Sequence, residues 1–370
     1  MKACGIIVEY NPFHHGHEYH IEWARALTGC DVLVAVMSGN FVQRGEPAIL
    51  DKWKRAETAV RHGVDLIIEL PYPWVTQSAS HFAQGAVTLL KQAQVSALVF
   101  GSESNNLQEL MEIAAMPINP DHLKESMGEG LAFPKAYGLW AKAMLPNDIL
   151  GVAYLKQLQD SSITPYTIQR TVGYHDTELQ GPIASAKAIR LAANEGYYSN
   201  EQTPMAEALE NGPRVQLAQF YPYLRTLLLT MPASDLKTYF LFCEGIEVHL
   251  AHCAEVSPDW DSFINAAVNR RYTRSRIQRT CLQLLCQIHW DEIRSLPPLD
   301  TLRPLAFNET GRRYLKQLRA SEVRIASRFA AVAEPYRRLE YRTTQLYASQ
   351  MEEPQRQALL KKEIGGPILL

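Results

Sequence analysis

The chain has 370 residues, of which 37 are Lys or Arg, 39 are Asp or Glu, and 46% are hydrophobic. That length suits two domains of roughly 100–200 residues better than one, and the composition excludes wholesale disorder. A formal net charge of -2 excludes a uniformly basic nucleic-acid coat, so any contact with nucleic acid must come from a local patch.

No apolar run reaches the ~18–20 residues that a bilayer-spanning helix needs, so no membrane association is expected. Met1 to Tyr10 has no convincing basic start and no small-residue cleavage site, so no signal peptide is expected. Cys4, Cys30, Cys243, Cys253, Cys281 and Cys286 are scattered, with no C-x-x-C pair. That disfavours structural zinc and a disulfide framework and fits a reducing, cytoplasmic setting.

Cys4 to Glu9, Val32 to Met37, Asp65 to Leu70 and Val95 to Phe100 are short, nearly continuous apolar runs. Such runs are expected of strands covered on both faces of a parallel sheet. Between them, about His17 to Leu27, Lys52 to His62 and Ser78 to Gln92 read as helices. The alternation predicts an α/β fold, a Rossmann-like doubly wound parallel sheet. From about 105 to 145 the pattern turns helical, punctuated by Pro117, Pro120 and Pro134, and reads as a helical insertion. Asn147 to Leu158 reads as a helix, Thr164 to Thr171 as a further strand, and Ala184 to Asn194 as a helix. Beyond Tyr198, apolar residues fall at three- and four-residue spacing in Leu217 to Thr230, Asp235 to Cys253, Trp260 to Val268 and Arg276 to Ile288. The pattern breaks at Gly196 to Asn200. This divides the chain into an α/β domain over 1–197 and a mostly α-helical C-terminal domain over 198–370.

The stretch with the most chemistry is Ile7, Val8, Glu9, Tyr10, Asn11, Pro12, Phe13, His14, His15, Gly16 and His17, which leads from the first strand into the first helix. A helix N-terminus presents unpaired N–H groups and the positive end of its dipole, so it is an anion site. Gly16 removes a side chain where a phosphate would be crowded, and His14 and His17 project to the same side of the turn. Two imidazoles there can donate to polyphosphate oxygens whose charge grows as the α-phosphorus is attacked. Metal ligation and ordinary histidines are the competing readings. His17-Glu18-Tyr19-His20 is one residue too short for H-E-x-x-H, and the position after strand one favours a nucleotide. No protein-held metal is expected.

Gln43-Arg44-Gly45-Glu46 follows the second strand, as a cover for a small-substrate pocket, an entry for a nucleobase, or a structural loop. Asp51, Lys52 and Arg55 read as part of the next helix face. In the helical part, Arg270, Arg271, Arg274, Arg276 and Arg279 cluster around Tyr272, a phosphate and base-stacking surface for RNA. Lys316, Arg319 and Arg324 are candidates to extend it, and a solvated charged face is the alternative.

The His14-His15-Gly16-His17 stretch is similar to the H-x-G-H signature of the nucleotidylyltransferase and class I aminoacyl-tRNA synthetase superfamily, whose members attack the α-phosphate of a nucleoside triphosphate. The chain as a whole resembles the bacterial tRNA(Met) cytidine acetate ligase family. The resemblance lies in Val8 to His17, Met37 to Ala48, Phe100-Gly101-Ser102-Glu103 and Arg271-Tyr272-Thr273-Arg274, and weakens after about residue 315. It implies that ATP and free acetate form acetyl-adenylate and pyrophosphate, with Mg2+ carried by the phosphates. The acetyl group would then pass to N4 of the wobble cytidine of elongator tRNA(Met), without acetyl-CoA. No protein partner is evident.

The resemblance further implies an ATP site lined by residues 7 to 20, thus including Glu18, Tyr19 and His20, and completed by Gly101, Asn147 and Arg170. The family pattern reads Asn-Asn where this chain has Asn147-Asp148, and Asn147 is taken as the contact. Gly101 and Arg170 end predicted strands, where ligands of open α/β sheets bind. A turn glycine, a helix cap and a solvated edge arginine are the bland alternatives for Gly101, Asn147 and Arg170. Ser185 and Arg190 resemble the second superfamily motif, Ser-x-x-x-x-Arg at a helix start, and complete a catalytic set with His14 and His17. An ordinary N-cap followed by surface basic residues is their alternative. Two other functions fit less well: an adenylyltransferase for a small metabolite, which has no need of the long helical part, and an RNA-binding protein with a vestigial nucleotide site.

Overall fold

The computed structural model describes residues 1–117, 144–170, 179 and 181–370. The expected insertion therefore lies largely outside the described residues, as does the end of the expected strand at Thr171.

The α/β unit runs β1 (Ala3–Val8), α1 (His15–Thr28), β2 (Val32–Ser38), a hairpin of β3 (Phe41–Val42) and β4 (Glu46–Pro47), α2 (Lys52–Arg61), β5 (Leu66–Leu70), α3 (Tyr72–Val75), α4 (Ala79–Gln92) and β6 (Ala97–Ser102). It continues through α5 (Leu107–Ala115), α6 (Pro146–Leu158), β7 (Thr164–Gln169) and α7 (Ala186–Asn194). The helical part contains α8 (Ala206–Asn211), α9 (Tyr221–Thr230), α10 (Ala233–Leu236), α11 (Ile246–Val256), α12 (Trp260–Ala267), α13 (Arg274–Leu285) and α14 (Trp290–Arg294). The chain closes with β8 (Thr301–Leu302), β9 (Pro304–Phe307), α15 (Glu309–Ala320), β10 (Arg324–Ile325), α16 (Glu334–Ala348), α17 (Glu353–Glu363) and β11 (Ile368–Leu369).

The fold is the expected doubly wound α/β sheet followed by a mostly helical part. Its seven strands are ordered β11-β9-β5-β2-β1-β6-β7. From β1 the chain winds outward through β2 and β5, then returns to the other side of β1 for β6 and β7, all in parallel. The direction reverses between β1 and β6, which opens a crevice beyond their carboxyl ends. Ile6, Val8, Leu33, Met37 and Ile67 pack with Ile21 of α1 and Trp53 of α2 on one face. Val34, Val36, Leu66 and Ile68 pack with Phe82, Val87 and Leu90 of α4 on the other. Leu224, Leu250, Phe263 and Ile277 of the helical part join the first of these cores, so the two parts share buried surface.

Three features depart from the sequence pattern. First, β9 pairs antiparallel with β5, and β11 extends the sheet beside β9. Strands of four and two residues carry no readable periodicity.

Second, the helix expected over Asp235 to Cys253 is split. Leu241 (φ 68°), Glu244 (φ 62°) and Gly245 (φ 84°) are left-handed. The Phe240 amide donates to Ile288 O and the Trp290 amide to Thr238 O, so this backbone pairs with 288–290 instead of helically.

Third, α15 lies at the amino edge of the sheet. There Tyr314 Oη donates to Ala93 O, and the Met1 ammonium to Gln317. Lys316 and Arg319 therefore do not extend the 270–279 cluster, which packs at the carboxyl edge.

Candidate active site

Beyond β1 the chain turns sharply: Tyr10 is left-handed (φ 52°), the Asn11–Pro12 peptide is cis, and His14 becomes the N-cap of α1. Histidines build this cap in place of the usual Ser or Asp with Glu. His14 Nδ1 accepts from the Gly16 amide at 3.1 Å, and His17 Nδ1 accepts from the His14 amide at 3.1 Å. A neutral ring whose Nδ1 accepts carries its proton on Nε2. Both rings are therefore Nε2–H donors, and they stack with centroids 3.7 Å apart. Gly16 is required by the cap itself, because a Cβ there would lie 2.9 Å from His14 Cε1.

Withdrawal from water keeps these rings neutral. Burial, then the nearby Arg170, His15 and Arg190, push His14 down to about 3. Burial and the neighbouring His14 and His20 hold His17 well below its usual range. His20, pushed down to about 4 mainly by burial, has Nε2 3.1 Å from Val99 O and so donates to β6. His15 turns the other way: its Nδ1 meets Glu18 at 2.5 Å, and Glu18 also meets His62 Nδ1 at 2.5 Å. Tyr19 packs against Trp23 (6.0 Å) on α1. Phe13, fully buried, lies 5.6 Å from the His17 ring and 5.4 Å from His62.

Cations face the corner. Arg190 Nη1 donates to Asn11 O at 2.7 Å, within the turn itself. Arg170 follows β7, and its amide donates to Ser102 O at 3.1 Å. A Cβ on Gly101 would lie 3.3 Å from Arg170 Cγ, so the glycine lets the arginine stem lie across the end of β6. Ser185 is the N-cap of α7, accepting from the Ala188 amide at 3.0 Å. The start of α7 abuts that of α1, since a Cβ on Gly16 would be 3.5 Å from Ile183 Cγ2. Two helix N-termini thus converge where His14, His17, Arg170 and Arg190 meet.

Asn147 and Asp148 divide the work at the next turn. The Asn147 amide group donates to Glu103 Oε1 at 2.6 Å, while the Asp148 amide donates to Glu103 Oε2 at 2.9 Å. Asp148 is buried and accepts from the amides of Glu103 and Ser104, each at 3.1 Å, so it fixes the loop after β6. Asn147 is half-buried beside that loop. Glu103, which joins both, lies in the Phe100–Glu103 segment that carries the resemblance, but its spacing gave no sign of this role.

Glu9 sits at the end of β1, where Ile7 and Val8 precede it in the strand. Burial raises its carboxyl above the usual range, opposed by the Gln43 amide and by Arg44, Arg190 and Arg55. The Gln43 amide donates to Glu9 Oε1 at 2.8 Å, so the hairpin leans on the corner. Arg55, expected on a helix face, is fully buried and donates to the carbonyls of Glu9, Gly39 and Leu50 (3.0 Å), pinning the exits of β1 and β2.

The arginine run splits into two kinds. Arg270, Arg271 and Arg274 are exposed; Arg271 lies over the Tyr272 ring at 5.7 Å, and Arg274 donates to Asn265 at 3.2 Å. Arg276 donates to Leu241 O at 3.0 Å, and Arg279 to Gln43 O at 3.3 Å. Burial pushes Arg279 down to about 10, which fits a tie between elements better than an RNA contact. A Cβ on left-handed Gly45 would lie 2.4 Å from Arg279 N. The hairpin thus touches the backbone of α13 and connects the arginine helix to Glu9.

Residues 1–362 match the model of the HIGH nucleotidyl transferase family. A curated tRNA(Met) cytidine acetate ligase from Geobacillus sp. (strain WCH70) is 35% identical, with both chains covered in full. The enzyme of that name from Bacillus subtilis (strain 168) is 33% identical, covering 99% of this chain and 96% of its own. The crystal structure of Thermotoga maritima TmcAL, apo form I, superposes with a TM-score of 0.91 at 31% identity over 100% of both chains. The form of that protein bound with alpha-thio ATP superposes with a TM-score of 0.88, again at 31% identity and full coverage.

Proposed function

The chain belongs to the tRNA(Met) cytidine acetate ligase family of HIGH nucleotidyl transferases, and on that premise we propose that it activates acetate with ATP and acetylates N4 of the wobble cytidine of elongator tRNA(Met). The observation that carries the proposal is the pair of neutral, stacked imidazoles on the α1 N-terminus, with Arg170 and Arg190 facing them. An acetate oxygen attacks the α-phosphorus in line, the P–O bond to pyrophosphate breaks, and acetyl-adenylate forms. The cytidine N4 then attacks the acetyl carbonyl, the C–O bond to AMP breaks, and N4 loses a proton.

No protein nucleophile is needed. His14 and His17 contribute Nε2–H donors whose hydrogen bonds strengthen as charge grows on the α-phosphate. Neutral rings suit this role, because they bind charge that develops during reaction without holding a permanent ion pair. Arg170 and Arg190 hold the triphosphate and compensate the departing pyrophosphate. The corner supplies donors rather than oxygen ligands, which fits Mg2+ bound chiefly to phosphate oxygens and water. Exposed Arg270, Arg271 and Arg274 supply the surface on which RNA docks, while Tyr272, expected to stack a base, is buried with its hydroxyl donating to Glu244 O at 2.6 Å and supports the arginines from beneath.

The test incubates the protein with ATP, labelled acetate and total tRNA, followed by nucleoside analysis. Label in N4-acetylcytidine of elongator tRNA(Met), dependent on ATP and independent of acetyl-CoA, is expected. Label confined to a small metabolite would contradict the proposal.

A further inference from the structure

An open cleft of about 560 Å³ lies in the helical part between the 237–243 segment and α14, lined by Lys237, Thr238, Cys243, His289, Trp290 and Arg294. Its aromatic wall is fixed. The Trp290 ring meets Phe240 edge-on at 4.8 Å, and His289 lies 4.2 Å from the Tyr239 ring. Arg294 lies over Trp290 at 5.4 Å, and Lys237 projects from the opposite wall with its Nζ 3.5 Å from buried Glu247. Asp291 is the one acidic side chain of the lining, 3.7 Å from Arg294.

The 237–245 wall holds two non-glycine residues, Leu241 and Glu244, at positive φ. Such backbone persists where the surroundings over-determine it, often at ligand sites. The cleft also adjoins α13, the helix that begins at exposed Arg274 of the proposed RNA surface. Arg276 bridges to Cys243 Sγ (3.1 Å) and Leu241 O (3.0 Å), and stands one helical turn from Arg279, which reaches the hairpin on Glu9.

We infer that this cleft is a nucleotide subsite for the bound tRNA: an unstacked base lies on Trp290, and its flanking phosphates meet Lys237 and Arg294. The inference rests on the tRNA reading above. A half-buried indole beside two exposed cations is the combination that single-stranded RNA uses, stacking on the ring while the backbone is neutralised. A purely apolar partner would make no use of exposed Lys237 and Arg294, which meet their carboxylates only at 3.5 Å (Glu247) and 3.7 Å (Asp291), and a small anion would leave Trp290 without a use.

The test measures affinity of the full chain for an in vitro transcript of elongator tRNA(Met) at several salt concentrations. Trp290→Ala is expected to weaken binding by roughly ten- to a hundredfold, with Trp290→Phe restoring most of it. The surface double variant Lys237→Ala/Arg294→Ala, which leaves the packing of Trp290 on Phe240 intact, is expected to bind more weakly. Its salt dependence should be shallower by up to about two phosphate contacts. Wild-type affinity and slope in the double variant, with wild-type affinity in Trp290→Ala, would overturn this inference alone. A wild-type protein without affinity for the transcript would overturn the tRNA reading and this one with it.

Discussion

The histidine corner after β1 and the lysine cluster after β2 occupy the same edge of one sheet, yet burial acts on them in opposite ways. At the corner, His14, His17 and His20 lose their charge, and their protons stay on donor nitrogens. In the second cluster, Lys52 Nζ lies 2.9 Å from Glu363 and also contacts Glu69, while Arg303 Nη1 reaches Glu69 at 2.6 Å and Glu363 at 2.9 Å. Burial would lower Lys52, but Glu363 and Glu69 outweigh it and keep it charged. Burial and the neighbouring Glu69 push Glu340 up to about 8, leaving two cations against two carboxylates. Glu69, Glu340 and Glu363 lie close enough together to hold a cation, and the Lys52 ammonium takes that place. The lesson is one of satisfaction: the lysine cluster pairs its charges internally and clasps the C-terminal segment to the sheet, whereas the corner, on the proposed reading, takes its charge from a bound triphosphate.

The largest way to break this contrast is Lys52→Met. It leaves buried carboxylates uncompensated and should cost about 3–5 kcal/mol of stability, read as a fall in the urea midpoint. An unchanged midpoint would mean that the clasp holds nothing. Next comes His17→Ala, which should slow acetate-dependent ATP–pyrophosphate exchange by ~10²–10³ while the protein stays folded. Exchange at the wild-type rate would remove His17 from the phosphate site.

The smallest effect concerns pH, where the two clusters pull in opposite directions. A histidine whose folded pKa is depressed binds fewer protons folded than unfolded, so its stability is present above the ordinary range near 6.5. That contribution is lost as pH falls toward about 4 for His20 and about 3 for His14. Glu340 is raised instead, so its contribution is present below about 4.5 and lost as pH rises toward about 8. Urea midpoints of Glu340→Gln should therefore decline less between pH 5 and 8 than those of the parent protein. Equal declines would show that Glu340 is ionised throughout.

The legible parts of the molecule are those in which local pattern and final environment agree. β1, β2, β5 and β6 announce themselves because burial on both faces demands continuous apolar runs, and the histidine corner because its geometry is built from four consecutive residues. The clasp was not legible: Lys52, Arg303 and Glu363 look like surface charge until distant segments bring them together. Arg279 looked like an RNA contact for the same reason, since nothing near it in sequence reveals that it supports Gln43. The break at Leu241–Gly245 was hidden by apolar spacing that suits a helix but serves packing against Ile288 and Trp290.

The central claim is that neutral His14 and His17 receive the α-phosphate beyond β1. A crystal structure of this protein with a non-hydrolysable ATP analogue tests it most directly. Phosphate oxygens are expected about 3 Å from Nε2 of both rings, with Arg170 and Arg190 on the same triphosphate. A nucleotide seated elsewhere, or the same two Nε2 atoms bound to a metal ion, would contradict it.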